Sequence, residues 1–166
     1  AGFAIDRLAK SFGDQYLLID AHIATETHDQ APSPVEDDLA RTLAQVETFR
    51  RSAARSVAAW RAYFAEAKAR REKVVLWGSG SKAVAFLTTL GLRDEVACVT
   101  DVNPYRHGKF VPGAGHEIVP PDELRTVRPA RVVAMNPIYL GEIRAALANL
   151  GLAPELVALG HESGPA

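Results

Sequence analysis

The spacing of apolar and polar positions divides the chain into stretches of different period. Positions 3–8 and 15–23 are apolar, β-prone runs on either side of a more polar 9–14, which predicts an antiparallel hairpin. A two-stranded hairpin is marginal in water unless a sheet or another chain covers it, so its edges are expected to be paired or sticky. Positions 25–33, with His28, Asp29 and Pro32 and with Pro34 just beyond, are rich in polar and turn-forming residues and read as a linker. Ser33-Pro34-Val35-Glu36 then offers a serine N-cap, a proline at the first helical position and a glutamate at the third. No glycine or proline follows until Gly78, and Val35, Leu39, Leu43, Val46, Phe49, Ala53, Val57, Trp60, Phe64 and Ala67 recur at steps of three and four. One long helix is predicted. Carried to Arg71 it measures about 57 Å at 1.5 Å per residue, more than the width of a small domain, so part of it is expected to overhang.

From Lys73 onward the pattern becomes short apolar runs alternating with helical ones. Val74-Val75-Leu76-Trp77 reads as a buried parallel strand, 81–90 as a helix closed by Gly91, and 95–100 as a second strand. A long loop at 101–113 is followed by a strand at 116–119, a short helix at 121–127 and an apolar strand at 131–135 that ends at Asn136-Pro137. A helix at 138–150 capped by Gly151 and a strand at 156–159 complete the series. This alternation predicts an α/β, Rossmann-like fold: about five mostly parallel strands in the order 3-2-1-4-5, helices on both faces, with the hairpin and the long helix ahead of it.

Composition narrows the function classes. A chain of 166 residues suffices for one sizeable core with an appendage, and a formal net charge of -1 gives no basic surface for nucleic acid. The arginines Arg50, Arg51, Arg55, Arg61, Arg70 and Arg71 read as the solvated face of the long helix. The lone Cys98, inside a strand, rules out a disulfide framework or a cysteine zinc site within this sequence and reads as core. His22 and His28 lack a third ligand at a telling spacing. No apolar run approaches bilayer length and the N-terminus lacks signal-peptide features, so no membrane partner is expected and the cytoplasm is the default compartment. The first residue is not methionine and Met135 is the only one, so the sequence reads as beginning inside a longer gene product.

The chemistry concentrates in Gly78-Ser79-Gly80-Ser81-Lys82-Ala83, a G-x-G-x-x-A turn between strand and helix. Gly78 suits a tight turn, Gly80 a close approach to an anion, and Ala83 close packing of helix on strand. The helix N-terminus supplies free N–H groups and a positive dipole end, to which Lys82 adds a mobile charge. Asp101 follows about 20 residues after Gly80, at the end of the next strand, where an acid usually receives sugar hydroxyls. The loop after it carries Asn103, Pro104, Arg106, His107, Gly108 and Lys109, and of these Arg106, His107 and Lys109 suit phosphates. Asn136 and Tyr139 are placed at the same carboxyl edge. No Ser-His-Asp order, paired catalytic carboxylates or metal cluster is evident, so no catalytic residue is assigned.

Leu76-Trp77-Gly78-Ser79-Gly80-Ser81-Lys82, Thr100-Asp101-Val102-Asn103-Pro104, Gly108-Lys109-Phe110-Val111-Pro112-Gly113 and Arg128-Pro129-Ala130-Arg131-Val132-Val133 resemble, in order and spacing, the C-terminal domain of SAM-dependent sugar C-methyltransferases. The likeness runs from about Pro34 to Leu159, and 1–24 looks like the closing hairpin of the preceding methyltransferase domain. It departs from the family at Trp77, where Tyr is usual, at Ser79, where Ala is common, and at Ala83, where Gly is common. The resemblance implies 1–31 as hairpin and linker of a methyltransferase domain outside this sequence, 32–72 as a connecting helix and 73–166 as a Rossmann-like domain.

It also implies a domain that helps hold a nucleotide-sugar against a partner domain of its own polypeptide, with S-adenosylmethionine and the catalytic groups on that partner and no cofactor here. Gly78, Ser79, Gly80, Ser81, Lys82, Asp101, Asn103, Pro104, His107, Gly108, Lys109, Asn136 and Tyr139 are then the expected substrate-binding residues. Two other classes remain open on the sequence. An NAD(P)-binding domain of an oxidoreductase suits the turn and Asp101, although a dinucleotide site draws on two mononucleotide halves and the alternation stops after Leu159. A structural scaffold, including a homodimer paired through the long helix, suits the apolar stripe.

Overall fold

The computed structural model describes residues 2–13, 15–24 and 39–160. The linker at 25–33 and the helix start at 33–36 lie outside the described residues. β1 (Phe3–Ser11) and β2 (Tyr16–Ile23) form a separate two-stranded antiparallel sheet. β1 is longer than its apolar run predicts, because Lys10 and Ser11 pair with Leu17 and Tyr16, and Phe12 and Gly13 turn the chain at positive φ. A register shift between Ile5 and Arg7 leaves Asp6 unpaired in the ladder. That shift resets the alternation, so the pairs Phe3–Ile23, Ile5–Ala21 and Leu8–Ile19 all fall on one face. Asp6 accepts a 2.8 Å bond from His22 Nδ1, which gives that histidine a local partner.

The second sheet has five parallel strands in the order β5 (Ile118–Val119), β4 (Val96–Thr100), β3 (Val74–Trp77), β6 (Arg131–Ala134), β7 (Glu155–Ala158). In order of appearance this is the predicted 3-2-1-4-5. Strand ends move by one or two residues at 95, 116, 135 and 159. The shortest strand, β5, pairs over two positions at the sheet edge. α2 (Ser81–Leu90) begins and ends at the predicted residues, with Gly91 in the left-handed C-cap conformation. The predicted 121–127 helix is a 3-10 turn (Pro121–Glu123) leading into α3 (Leu124–Val127), and the predicted 138–150 helix is a 3-10 turn (Pro137–Tyr139) leading into α4 (Leu140–Asn149).

α1 (Leu39–Ala69) is continuous, but its apolar stripe has two fates. Trp60, Tyr63, Phe64 and Ala67 are buried with Val74 and Leu76 of β3 and with Phe86 and Leu87 of α2, whereas Leu39, Leu43, Val46 and Phe49 are exposed. On the opposite face, Val75, Val132, Leu124, Ile143 and Leu147 form a second core under α3 and α4. Cys98 lies in that second core, where burial, with smaller contributions from Glu123 and Glu117, pushes its thiol up to about 11. It is therefore a protonated core residue, unsuited to nucleophilic work.

One strand departs from the sequence reading. The sequence predicts an apolar β6 from 131, yet the strand's first residue is a buried arginine. Arg131 Nε donates to Glu72 Oε2 at 2.7 Å and lies 3.4 Å from Glu155 Oε2, and its Nη1 lies 3.6 Å from Glu66 Oε2. Its guanidinium carbon stands 4.6 Å from the centre of the Tyr63 ring. One cation thus gathers carboxylates from α1, the α1–β3 turn and β7 at the amino-terminal edge of the sheet. Among the described residues no helix is long and apolar enough to cross a membrane.

Candidate functional site

The opposite, carboxyl edge carries the candidate site. β3 sits between β4 and β6, where the strand order reverses and crevices open in sheets of this kind. At the end of β3, Gly78 donates to Thr100 O at 2.8 Å, while Met135 N–H donates to Trp77 O at 2.9 Å. Gly78 has φ +106, a conformation strained for any other residue, and a Cβ there would touch Met135 Cβ at 3.4 Å. The fold itself therefore demands this glycine. Gly80 differs: its φ is −75, an ordinary value, and a Cβ would meet only Arg106 Nη1 at 3.8 Å apart from its own chain neighbours. Gly78→Ala is expected to destabilise by about 1–3 kcal/mol, while Gly80→Ala leaves the thermal midpoint nearly unchanged; parallel melting curves check the contrast.

No side chain caps α2; Ala83 N–H and Val84 N–H turn back to Gly80 O at 3.0 and 3.3 Å. The first turn of α2 thus presents the Ser81 and Lys82 end of the helix to the crevice, with Ala83 fully buried behind it. Ser79, one of the departures from the family pattern, is buried and tied to Asp101. Its N–H donates to Asp101 Oδ2 at 2.8 Å, and its hydroxyl donates to the same oxygen. Asp101 Oδ1 accepts from Asn103 N–H at 2.9 Å. Arg106 completes the cluster: Nη1 donates to Ser79 Oγ at 3.0 Å and lies 3.6 Å from Asp101 Oδ2. Burial pushes the Asp101 carboxyl up, but the bonds from Ser79 and Asn103 and the charge of Arg106 outweigh it and hold the group below its ordinary range.

The remaining candidates divide into loop-builders and flanks. Asn103 Oδ1 accepts from Tyr105 N–H at 3.0 Å and so caps the 3-10 turn Pro104–Arg106. His107 Nε2–H donates to Asp101 O at 2.7 Å, which uses one face of that ring inside the loop. Gly108, at φ +70, donates to Ile118 O, and Lys109 O accepts from Ile118 N–H, so the loop is laced to β5. Asn136 repeats the Asn-Pro device after β6, its Oδ1 accepting from Ile138 N–H at 3.4 Å, with exposed Tyr139 closing that turn. The structure therefore brings Ser79, Gly80, Asp101 and the base of the 103–107 loop into one cluster. Lys82, Asn136 and Tyr139 share its edge of the sheet.

Arg106 is the residue that the sequence undervalued. It reads there as one donor among three, and only the turn at Pro104 swings it back over Gly80. A basic residue five positions after the strand-end acid, across an Asn-Pro turn, is the signal that points to it. Among the described residues, no three His, Cys, Asp or Glu side chains are grouped to hold a metal ion.

Residues 23–153 match the family described as C-methyltransferase C-terminal domain. No curated protein matches the chain. Matching solved structures include RSP, a Rex-family repressor, at 13% identity and a TM-score of 0.39, over 55% of this chain and 54% of that one. They also include RSP in complex with β-NADH, at 14% identity and a TM-score of 0.38, with the same coverage. The chain spans about half the length of these structures.

Proposed function

The chain belongs to the C-methyltransferase C-terminal domain family, and on that premise we propose that it is the domain that binds and orients a nucleotide-sugar for methyl transfer on carbon. The observation that carries this reading is the place of Gly80: folding does not require a glycine there, yet its missing side chain leaves room in front of an uncapped helix N-terminus at the strand-order reversal. Ser81, Lys82 and Lys109 complement a diphosphate, Asn136 and Tyr139 flank it, and Gly78, Asn103, Pro104, His107 and Gly108 shape the walls. Holding the acceptor and excluding water are this domain's contributions to rate.

In this reading the hairpin at 1–31 completes a preceding methyltransferase domain, 32–72 connects the two, and 73–166 is the substrate domain. The exposed apolar face made by Phe3, Ile5, Ile19 and Ile23 supports that assignment, since such a face is stable only when covered. S-adenosylmethionine, which carbon methylation in this family implies, and the catalytic groups belong to the preceding domain. The test is calorimetric titration of the chain with dTDP-glucose, NAD and S-adenosylmethionine in parallel. Heat with dTDP-glucose alone is the expected result; binding of NAD instead moves the domain to the oxidoreductases.

A further inference from the structure

We propose that Arg106 is the anion-recognising, specificity-determining side chain of the carboxyl-edge site, and that Asp101 is a positioning residue for it rather than a receiver of ribose hydroxyls. The inference rests on the reading of that edge as a substrate site.

The acid at the end of the second strand of a dinucleotide fold works by offering free carboxylate oxygens to a ribose diol. Here those oxygens are engaged. Oδ1 takes the Asn103 N–H, Oδ2 takes both the N–H and the hydroxyl of Ser79, and the side chain is only 13% exposed. A carboxylate that already accepts three bonds and faces a guanidinium has little left for a diol, and vacating those bonds would leave the donors of buried Ser79 unpaired.

The same bonds fix Arg106. Ser79 Oγ, with its proton committed to Asp101, is left as an acceptor, and Nη1 donates to it at 3.0 Å. The ion pair with Asp101 at 3.6 Å is longer than a hydrogen bond, so it steers the guanidinium without saturating it. Both contacts run through Nη1; Nε and Nη2 carry three further N–H donors in a planar fork suited to phosphate oxygens. Nη1 is also the atom nearest to the space that a Cβ on Gly80 would fill. A pre-aimed guanidinium beside that space, next to the first turn of α2, favours a diphosphate there over a nucleoside diol held by Asp101.

The test is calorimetry with dTDP-glucose on the full chain and its Arg106→Ala, Arg106→Lys, Ser79→Ala, Asp101→Asn and Asp101→Asn/Arg106→Ala variants, with thermal midpoints as the folding control. Arg106→Ala is expected to weaken binding by about tenfold or more, the loss of a charged hydrogen bond. Arg106→Lys recovers part of that loss. Ser79→Ala and Asp101→Asn weaken binding less, and the double variant is no weaker than Arg106→Ala alone, because Asp101 acts through Arg106. Unchanged affinity in Arg106→Ala overturns the inference and leaves the substrate-site reading standing. Additive losses overturn the positioning role. Failure of the unaltered chain to bind dTDP-glucose overturns both.

Discussion

Phe64→Ala is expected to cost about 3–5 kcal/mol, the range for emptying a buried aromatic position, while Leu43→Ala on the same helical stripe changes stability by no more than about 0.5 kcal/mol. Phe64 is 1% exposed and Leu43 63%. Phe64 packs against Trp60, Tyr63 and Phe86, with ring centroids 6.4, 5.7 and 6.0 Å away, so its removal opens a void among these rings and takes an edge-to-face partner from Tyr63. Urea unfolding followed by tryptophan fluorescence reads both variants, since Trp60 is in the cluster. Equal effects of the two substitutions would mean that the two halves of α1 are buried alike.

Arg131→Met is the second large effect, expected at about 3 kcal/mol and a fall in the thermal midpoint on the order of 10 °C. Methionine replaces much of the buried volume, so the loss comes from charge. Glu66, Glu72 and Glu155 would face one another without their shared cation, and the Tyr63 ring would lose the guanidinium above it. Glu66 and Glu155 are half in solvent and rehydrate in part, which keeps the cost below that of a fully enclosed triad. Burial, and then the Glu155 carboxylate, push the Tyr63 hydroxyl well up from its ordinary value, so it stays neutral and adds no further negative charge to the cluster. Arg131→Lys is expected to recover only part of the stability, because one ammonium cannot reach three carboxylates and lie over a ring. Differential scanning calorimetry of the three proteins checks the order.

The sheet was legible because its signals are local and agree with one another. β3 stops at Gly78, β4 lies between the acids Glu95 and Asp101, and β6 runs from just after Pro129 to just before Asn136-Pro137, while right-handed crossovers leave few orders to choose from. α2 was legible to the residue because Gly80 and Gly91 punctuate it. The hairpin ends were not, since Lys10 and Ser11 look like loop residues until their partners Leu17 and Tyr16 are known. Tyr63 fits the helical period but carries a hydroxyl, and its burial follows from the Trp60 and Phe64 rings beside it together with the guanidinium above its ring.

Arg131 and Arg106 share the deeper reason. Arg131 meets Glu66, Glu72 and Glu155, and Arg106 meets Ser79, all distant in sequence and adjacent only after the sheet has formed; Asp101 is near Arg106 in sequence, but their approach is fixed through Ser79. Asp101 does lie at the carboxyl edge, as its spacing predicts, but spacing alone does not reveal that its oxygens are already taken by Ser79 and Asn103.

The central claim is that the carboxyl edge around Gly80 and Arg106 receives a nucleotide-sugar. Backbone amide chemical-shift mapping of the chain during titration with dTDP-glucose tests it most directly. The expected result is perturbation confined to 78–83, 101–110 and 136–139. Shifts centred instead on the amino-terminal edge around Arg131 and Glu155, or no shifts at saturating ligand, would contradict it.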